Sequence, residues 1–168
     1  MKTILTLFTA LLISGYTYAQ DFSKYENLPG VSTVVINKNM FKLMSQLDLD
    51  SEDEEIQQYV DLINNMREIK IFKTDKEDIR RDLAQDANNY AKNNKLEELM
   101  RVQEDGKKIS FMYKPGSKDE EIEQLFMMVD GMDSENETIV IVINGLINLK
   151  QVSRLAKDLD VPGAGSLN

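Results

Sequence analysis

Three sets of residues in this chain have types and spacings that could do chemistry. The densest is the acidic run "DLDSEDEE" (48–55), in which Asp48, Asp50 and Glu52 stand at the first three ligand spacings of an EF-hand calcium loop. Such a loop needs glycine at its sixth position and a bidentate glutamate at its twelfth, and these places hold Asp53 and Tyr59. The run is therefore read as an acid-rich helix start on a solvated surface. The second set is the methionines. Thioether sulfur is a soft ligand suited to Cu(I), and Met40 and Met44 share one helical face. Methionines at apolar positions more often fill gaps in a core, and that is the expectation here. The third set is the carboxylates, 29 Asp and Glu in all, which could run a glycosidase if two faced each other across a cleft. They fall mainly on the polar sides of expected helices.

The junction "VINGLIN" (142–148) also resembles a phosphate loop, because a β-branched run, a glycine and a helical pattern follow one another. A phosphate cradle needs several glycines and a nearby lysine or hydroxyl. This junction has Gly145 alone, followed by Leu146 and Ile147, with Lys150 further on. Gly145 is expected to serve the backbone, as a positive-φ residue in a tight turn from strand to helix.

Composition removes whole classes of mechanism. The chain has 168 residues and no His, Cys or Trp. Ser-His-Asp and Cys-His nucleophiles, thiol redox chemistry and a conventional zinc site are excluded. A net charge of −9 argues against nucleic acid and anionic lipid as partners, since both are polyanions. No catalytic residue, cofactor or metal site is assigned.

Each of these residues must be placed by the elements around it. "MKTILTLFTALLISGYTYAQ" has a basic start at Lys2, an apolar run from Ile4 to Ile13, and small residues Thr17 and Ala19 before a cut. Residues 1–19 read as a signal peptide cleaved before Gln20, giving a periplasmic or secreted protein. No later stretch is long and apolar enough for a transmembrane helix, and without cysteine there is no lipid anchor. Residues 20–30 read as an extended lead-in, 31–160 as a single domain, and 161–168 as a loose tail.

Within that domain "VSTVVIN" (31–37) reads as a strand, with Asn37 capping a helix that carries Met40, Phe41, Met44 and Leu47 on one face. Ser51 with Glu54 forms a capping box for a second helix, striped by Ile56, Tyr59, Val60 and Ile63. "REIKIFKT" (67–74) alternates as a strand. Thr74 with Glu77 suggests a further capping box, before a helix carrying Ile79, Leu83, Ala87 and Tyr90 or Ala91. Asp105-Gly106 joins two strands as a hairpin. Residues 122–130 fit either helix or strand, and their short apolar run ending at Asp130-Gly131 favours strand. "ETIVIVIN" (137–144) is the last strand. Asn148 and Gln151 open a last helix with the stripe Leu149, Val152, Leu155, Ala156 and Leu159.

The order β-α-α-β-α-β-β-β-β-α is an α+β pattern: one mostly antiparallel sheet of about six strands, with the helices on one face. "VVINKNMFKLMSQL" (34–47) echoes "IVINGLINLKQVSRL" (141–155), with one extra residue in the second copy.

The segments "VSTVVINKNMFKLMSQL" (31–47), "LEELMRVQEDGKKISFMYK" (96–114), "EQLFMMVDG" (123–131) and "ETIVIVINGLINLKQVSRLAKDL" (137–159), in this order, resemble the DUF4252 family of exported bacterial proteins of unknown function. The resemblance implies an envelope location and a compact α+β domain. It implies no activity and supplies no catalytic residues. Where that family often has an acidic residue after the glycine or before the final helix, this chain has Leu146 and Asn148. Many relatives carry a lipoprotein cysteine, which this chain lacks, so membrane tethering does not carry over. The expectation is a non-enzymatic envelope protein acting as a protein-interaction or structural module. The alternatives are a small-ligand or ion-binding module and a carboxylate-dependent hydrolase. A free sheet edge or apolar patch would favour the first, converging polar groups in a closed pocket the second, and facing carboxylates the third.

Overall fold

The computed structural model describes residues 21–46, 54–104, 106–118, 121–131 and 137–148. The expected leader, most of the acidic run, the expected Ser51 cap and last helix, and the expected tail lie outside them.

The strands are β1 (Ser32–Asn37), β2 (Met66–Thr74), β3 (Glu97–Glu104), β4 (Lys107–Pro115), β5 (Glu121–Gly131) and β6 (Thr138–Asn148). The helices are α1 (Lys38–Gln46), α2 (Glu54–Asn65) and α3 (Glu77–Asn93). The six strands form one sheet in the order β1-β2-β6-β5-β4-β3, antiparallel at every pairing. The α+β class, the sheet and the order of these elements are as expected. Residues 122–130 are strand, because both neighbours of β5 are strands that its alternating side chains match.

The helices, expected on one face, lie on both. Alternation along the strands sends Phe72, Phe126, Met128, Val140 and Val142 to one side, where they pack with Leu83 and Ala87 of α3. Their neighbours Ile69, Leu125 and Ile143 point to the other side, toward Phe41 of α1 and Leu62 of α2. Both faces of β5 and β6 are therefore largely apolar, as strands with cover on each side must be.

Residues 20–30 are not an extended lead-in. Ser23–Tyr25 form a 3-10 turn, and Phe22 and Tyr25 are buried. The Phe22 ring lies 5.5 Å from that of Phe72 and 5.1 Å from that of Tyr90. These aromatics close the α3 side of the core, so the domain begins before Val31.

Asn37 does cap α1: its Oδ1 accepts from the backbone N–H of Asn39 at 3.0 Å and of Met40 at 3.3 Å. The Thr74 capping box does not form. Thr74 ends β2, its Oγ1 donates to the Gly30 carbonyl and accepts from Lys76 N–H, and α3 starts from Lys76 without a side-chain cap. At its other end α3 closes in a Schellman turn, with Leu96 N–H bonded to the Ala91 carbonyl and Lys95 N–H to that of Lys92. The turn places Lys95 at φ 53°. Gly106, at φ 73°, makes the expected β3–β4 hairpin.

Gly145 is not in a turn, and its φ is not positive. β6 runs on through it to Asn148. The register shifts on both sides, between Met66 and Glu68 on β2 and between Ile122 and Gln124 on β5. At this irregularity the end of α2 and the start of β2 lie against Gly145. A Cβ on residue 145 would stand 2.6 Å from the Asn65 carbonyl oxygen and 2.9 Å from the Met66 Cα. Glycine is there for close approach of two backbones.

The two echoing segments flank β2. Val34, Ile36 and Asn37 face Ile71, Ile69 and Glu68 from one side, and Ile141, Ile143 and Asn144 face the same three from the other. The echo ends there, because the first copy leaves the sheet at Asn37 and the second continues.

Candidate functional site

Four carboxylates are held by a cation or a phenol. Glu26 and Glu68 share the Lys70 ammonium, at 2.9 and 3.6 Å. Burial pulls the Lys70 pKa down, but the bond to Glu26 and the charges of Glu68 and Asp21 outweigh it, and the net shift is upward. Asp86 accepts from the Tyr25 hydroxyl at 2.7 Å and pairs with Lys24. Glu97, at the sheet edge, accepts from the Tyr113 hydroxyl at 2.8 Å. Among the described residues no group of acidic side chains could hold a metal ion. The acidic run, expected as a solvated helix start, lies outside those residues up to Asp53.

Polar groups do converge beside α3. Gln124 is 9% exposed; its Nε2 donates to Asn144 Oδ1 at 2.6 Å and to the Tyr90 hydroxyl at 2.8 Å. Asn144 Nδ2 donates to Glu68 Oε2 at 3.1 Å, and Glu68 leads on to Lys70 and Glu26. The relay links α3, β5, β6, β2 and the segment before β1. Its buried members find their partners in one another, which makes it a fastening of the fold. Burial pushes the Tyr90 hydroxyl upward, against the bond to Gln124, which pulls it down.

The methionines divide. Met66 and Met128 are buried, whereas Met40 is exposed, because Phe41 takes the inward position of α1. Met44 has its side chain outside the description.

What the sheet leaves open is its β1 side. Among the described residues β1 and β3 are the two edges. β3 carries Glu97, Glu98, Arg101 and Gln103, all exposed, and Glu98 is paired with Arg101. Charge of this kind discourages another strand from pairing. β1, with the sequence "STVVIN", has none. Val34 is 48% and Val35 44% exposed, and the helix that follows adds exposed Met40 and Leu43. An uncharged, β-branched edge beside exposed apolar side chains leaves main-chain groups open to pairing. The sequence marks β1 as a strand but not as an edge of the sheet. What signal there was is the absence of any charge from Val31 to Asn37.

Among the described residues no helix is long and apolar enough to cross a membrane. Comparison with curated proteins and with solved structures finds no match. Residues 25–155 match the sequence model of a domain of unknown function, DUF4252, and with most of its length covered the chain belongs to that family.

Proposed function

We propose that this protein is an exported, non-enzymatic domain of the bacterial envelope that acts by binding another protein, and that the partner lays an extended segment along β1. The exposed, uncharged β1 edge carries this reading. Strand addition draws its affinity from main-chain hydrogen bonds and its specificity from side chains at alternate positions. On β1 those positions present Val34 on one face and Val35 on the other. The leader-like sequence of residues 1–19 supports export, and the engagement of Glu26, Glu68, Asp86 and Glu97 by Lys70, Lys24 and tyrosines supports a role without catalysis.

A photo-crosslinking residue in place of Val35, in cells that express the protein at its natural level, tests this. The expected result is a discrete adduct with one envelope protein, absent when the same residue replaces Arg101 on β3. Equal labelling from both edges, or none from Val35, would overturn the proposal.

A further inference from the structure

A strand added along β1 extends each row of side chains across the sheet by one position. The rows that reach this edge differ between the two faces. On the α1 and α2 face Val34 is level with Ile71 and Ile141, and Ile36 with Ile69 and Ile143, so these rows arrive apolar. On the α3 face Val35 is level with Lys70, and Asn37 with Glu68. The chain before β1 crosses this second face. The Tyr25 carbonyl accepts from Thr33 Oγ1 at 3.2 Å, and the next residue, Glu26, accepts from Lys70 Nζ at 2.9 Å. Glu68 lies 3.6 Å from the same ammonium, and the charge of Asp21 also acts on it. Three carboxylates thus share one cation beside the edge. The side chains of Glu26 and Glu68 are 29% and 33% exposed, so they remain within reach of a charge brought by a partner. The neighbouring cations are placed elsewhere. Lys24 is taken by Asp86 of α3, and Lys38 opens α1, which packs on the opposite face.

We propose that the segment pairing with β1 is an alternating strand, with apolar side chains beside Val34 and Ile36 and a lysine or arginine on the other face, beside Val35. This rests on the reading of β1 as the pairing edge and adds the chemistry of what pairs there. Apolar residues on the first face continue the isoleucine rows of β2 and β6. On the second face a long cationic side chain lays its stem on Val35 and carries its charge across β1 toward Glu26 and Glu68. An acidic residue at the same place adds a fourth carboxylate to three that have one ammonium among them, and like charges side by side on a sheet repel.

Two labelled synthetic peptides test this: Thr-Val-Thr-Val-Lys-Val-Thr-Val-Thr, and the same with glutamate at the centre. Each reads identically in both directions, so parallel and antiparallel pairing present the same faces. Fluorescence anisotropy at low salt measures their binding to the mature protein. The lysine peptide should bind about threefold or more tightly than the glutamate peptide, because an attraction replaces a repulsion. Glu26→Gln keeps the shape of the side chain and an acceptor for Lys70, and should bring the two affinities together. Asp21→Asn, at an exposed position, should narrow the difference in the same direction. Glu98→Gln on β3 should leave it unchanged, which separates a local effect from the net charge of −9. Melting curves establish first that each variant is folded. Equal binding of the two peptides, tighter binding of the glutamate peptide, or a difference that Glu98→Gln narrows as much as Glu26→Gln does would overturn the inference. Binding of neither peptide would overturn it too, whereas β1 as the pairing edge stands or falls on the crosslink from Val35.

Discussion

Gly145 and Asn65 touch backbone to backbone, with room for a hydrogen but not a methyl: a Cβ at residue 145 would lie 2.6 Å from the Asn65 oxygen. This contact fixes where α2 hands over to β2 and where the sheet changes register. Gly145→Ala, a mild change in an ordinary strand, should here cost about 1–3 kcal/mol because the two backbones must separate. Urea unfolding of the mature protein measures it. A loss no larger than that of a surface substitution would mean the contact yields without cost.

Lys95 holds the left-handed position that ends α3, at φ 53°, where a side chain is strained. Lys95→Gly should stabilise the protein by about 1 kcal/mol, since left-handed backbone costs about 1–2 kcal/mol for residues with a Cβ. For a domain of this size that corresponds to a rise in Tm of about 2–4 °C. Scanning calorimetry of the two proteins would show it.

Alkaline pH should weaken the fold through Tyr25. Its hydroxyl is pushed far above the usual value of 10.0, by burial first and then by the Asp86 carboxylate it donates to. A group with a raised folded pKa contributes stability that is whole below its unfolded pKa and is lost as pH climbs toward the folded one. The urea midpoint should therefore be little affected by Tyr25 up to about pH 10 and fall above it. Lys70, also shifted upward, adds to the fall at still higher pH. Tyr25→Phe should lower stability at neutral pH by about 1 kcal/mol for the lost hydrogen bond, and should make the alkaline fall shallower. An unchanged alkaline slope would remove Tyr25 as its cause.

Much of the fold was legible because its signals are local. Asn37 sits at the boundary between a β-branched run and a helical stripe, and Asp105-Gly106 has few conformations other than a hairpin. The features that were not legible depend on contacts distant in sequence. Phe22 and Tyr25 look isolated among polar neighbours until Phe72 and Tyr90 are brought to them. Gly145 has the local look of a turn, and only the backbone of Asn65 shows that it is a strand residue with something lying on it. Thr74 and Glu77 have capping-box spacing, but the Thr74 hydroxyl is taken by Gly30, which is 44 residues away. As for the site, the strand β1 could be read from its residues. Its place at the edge follows from the pairing of β2 with β6, which sequence periodicity does not encode.

The central claim is that β1 is where a partner binds, and affinity measured at that edge tests it most directly. With the partner identified by crosslinking, its Kd for the mature protein is compared with that for Val35→Lys and for Arg101→Glu, after calorimetry has shown equal melting. A charge on the pairing edge should weaken binding by about tenfold or more, or about 1.4 kcal/mol, and the change on β3 should leave it as it was. Binding that survives Val35→Lys and is lost in Arg101→Glu would contradict the account.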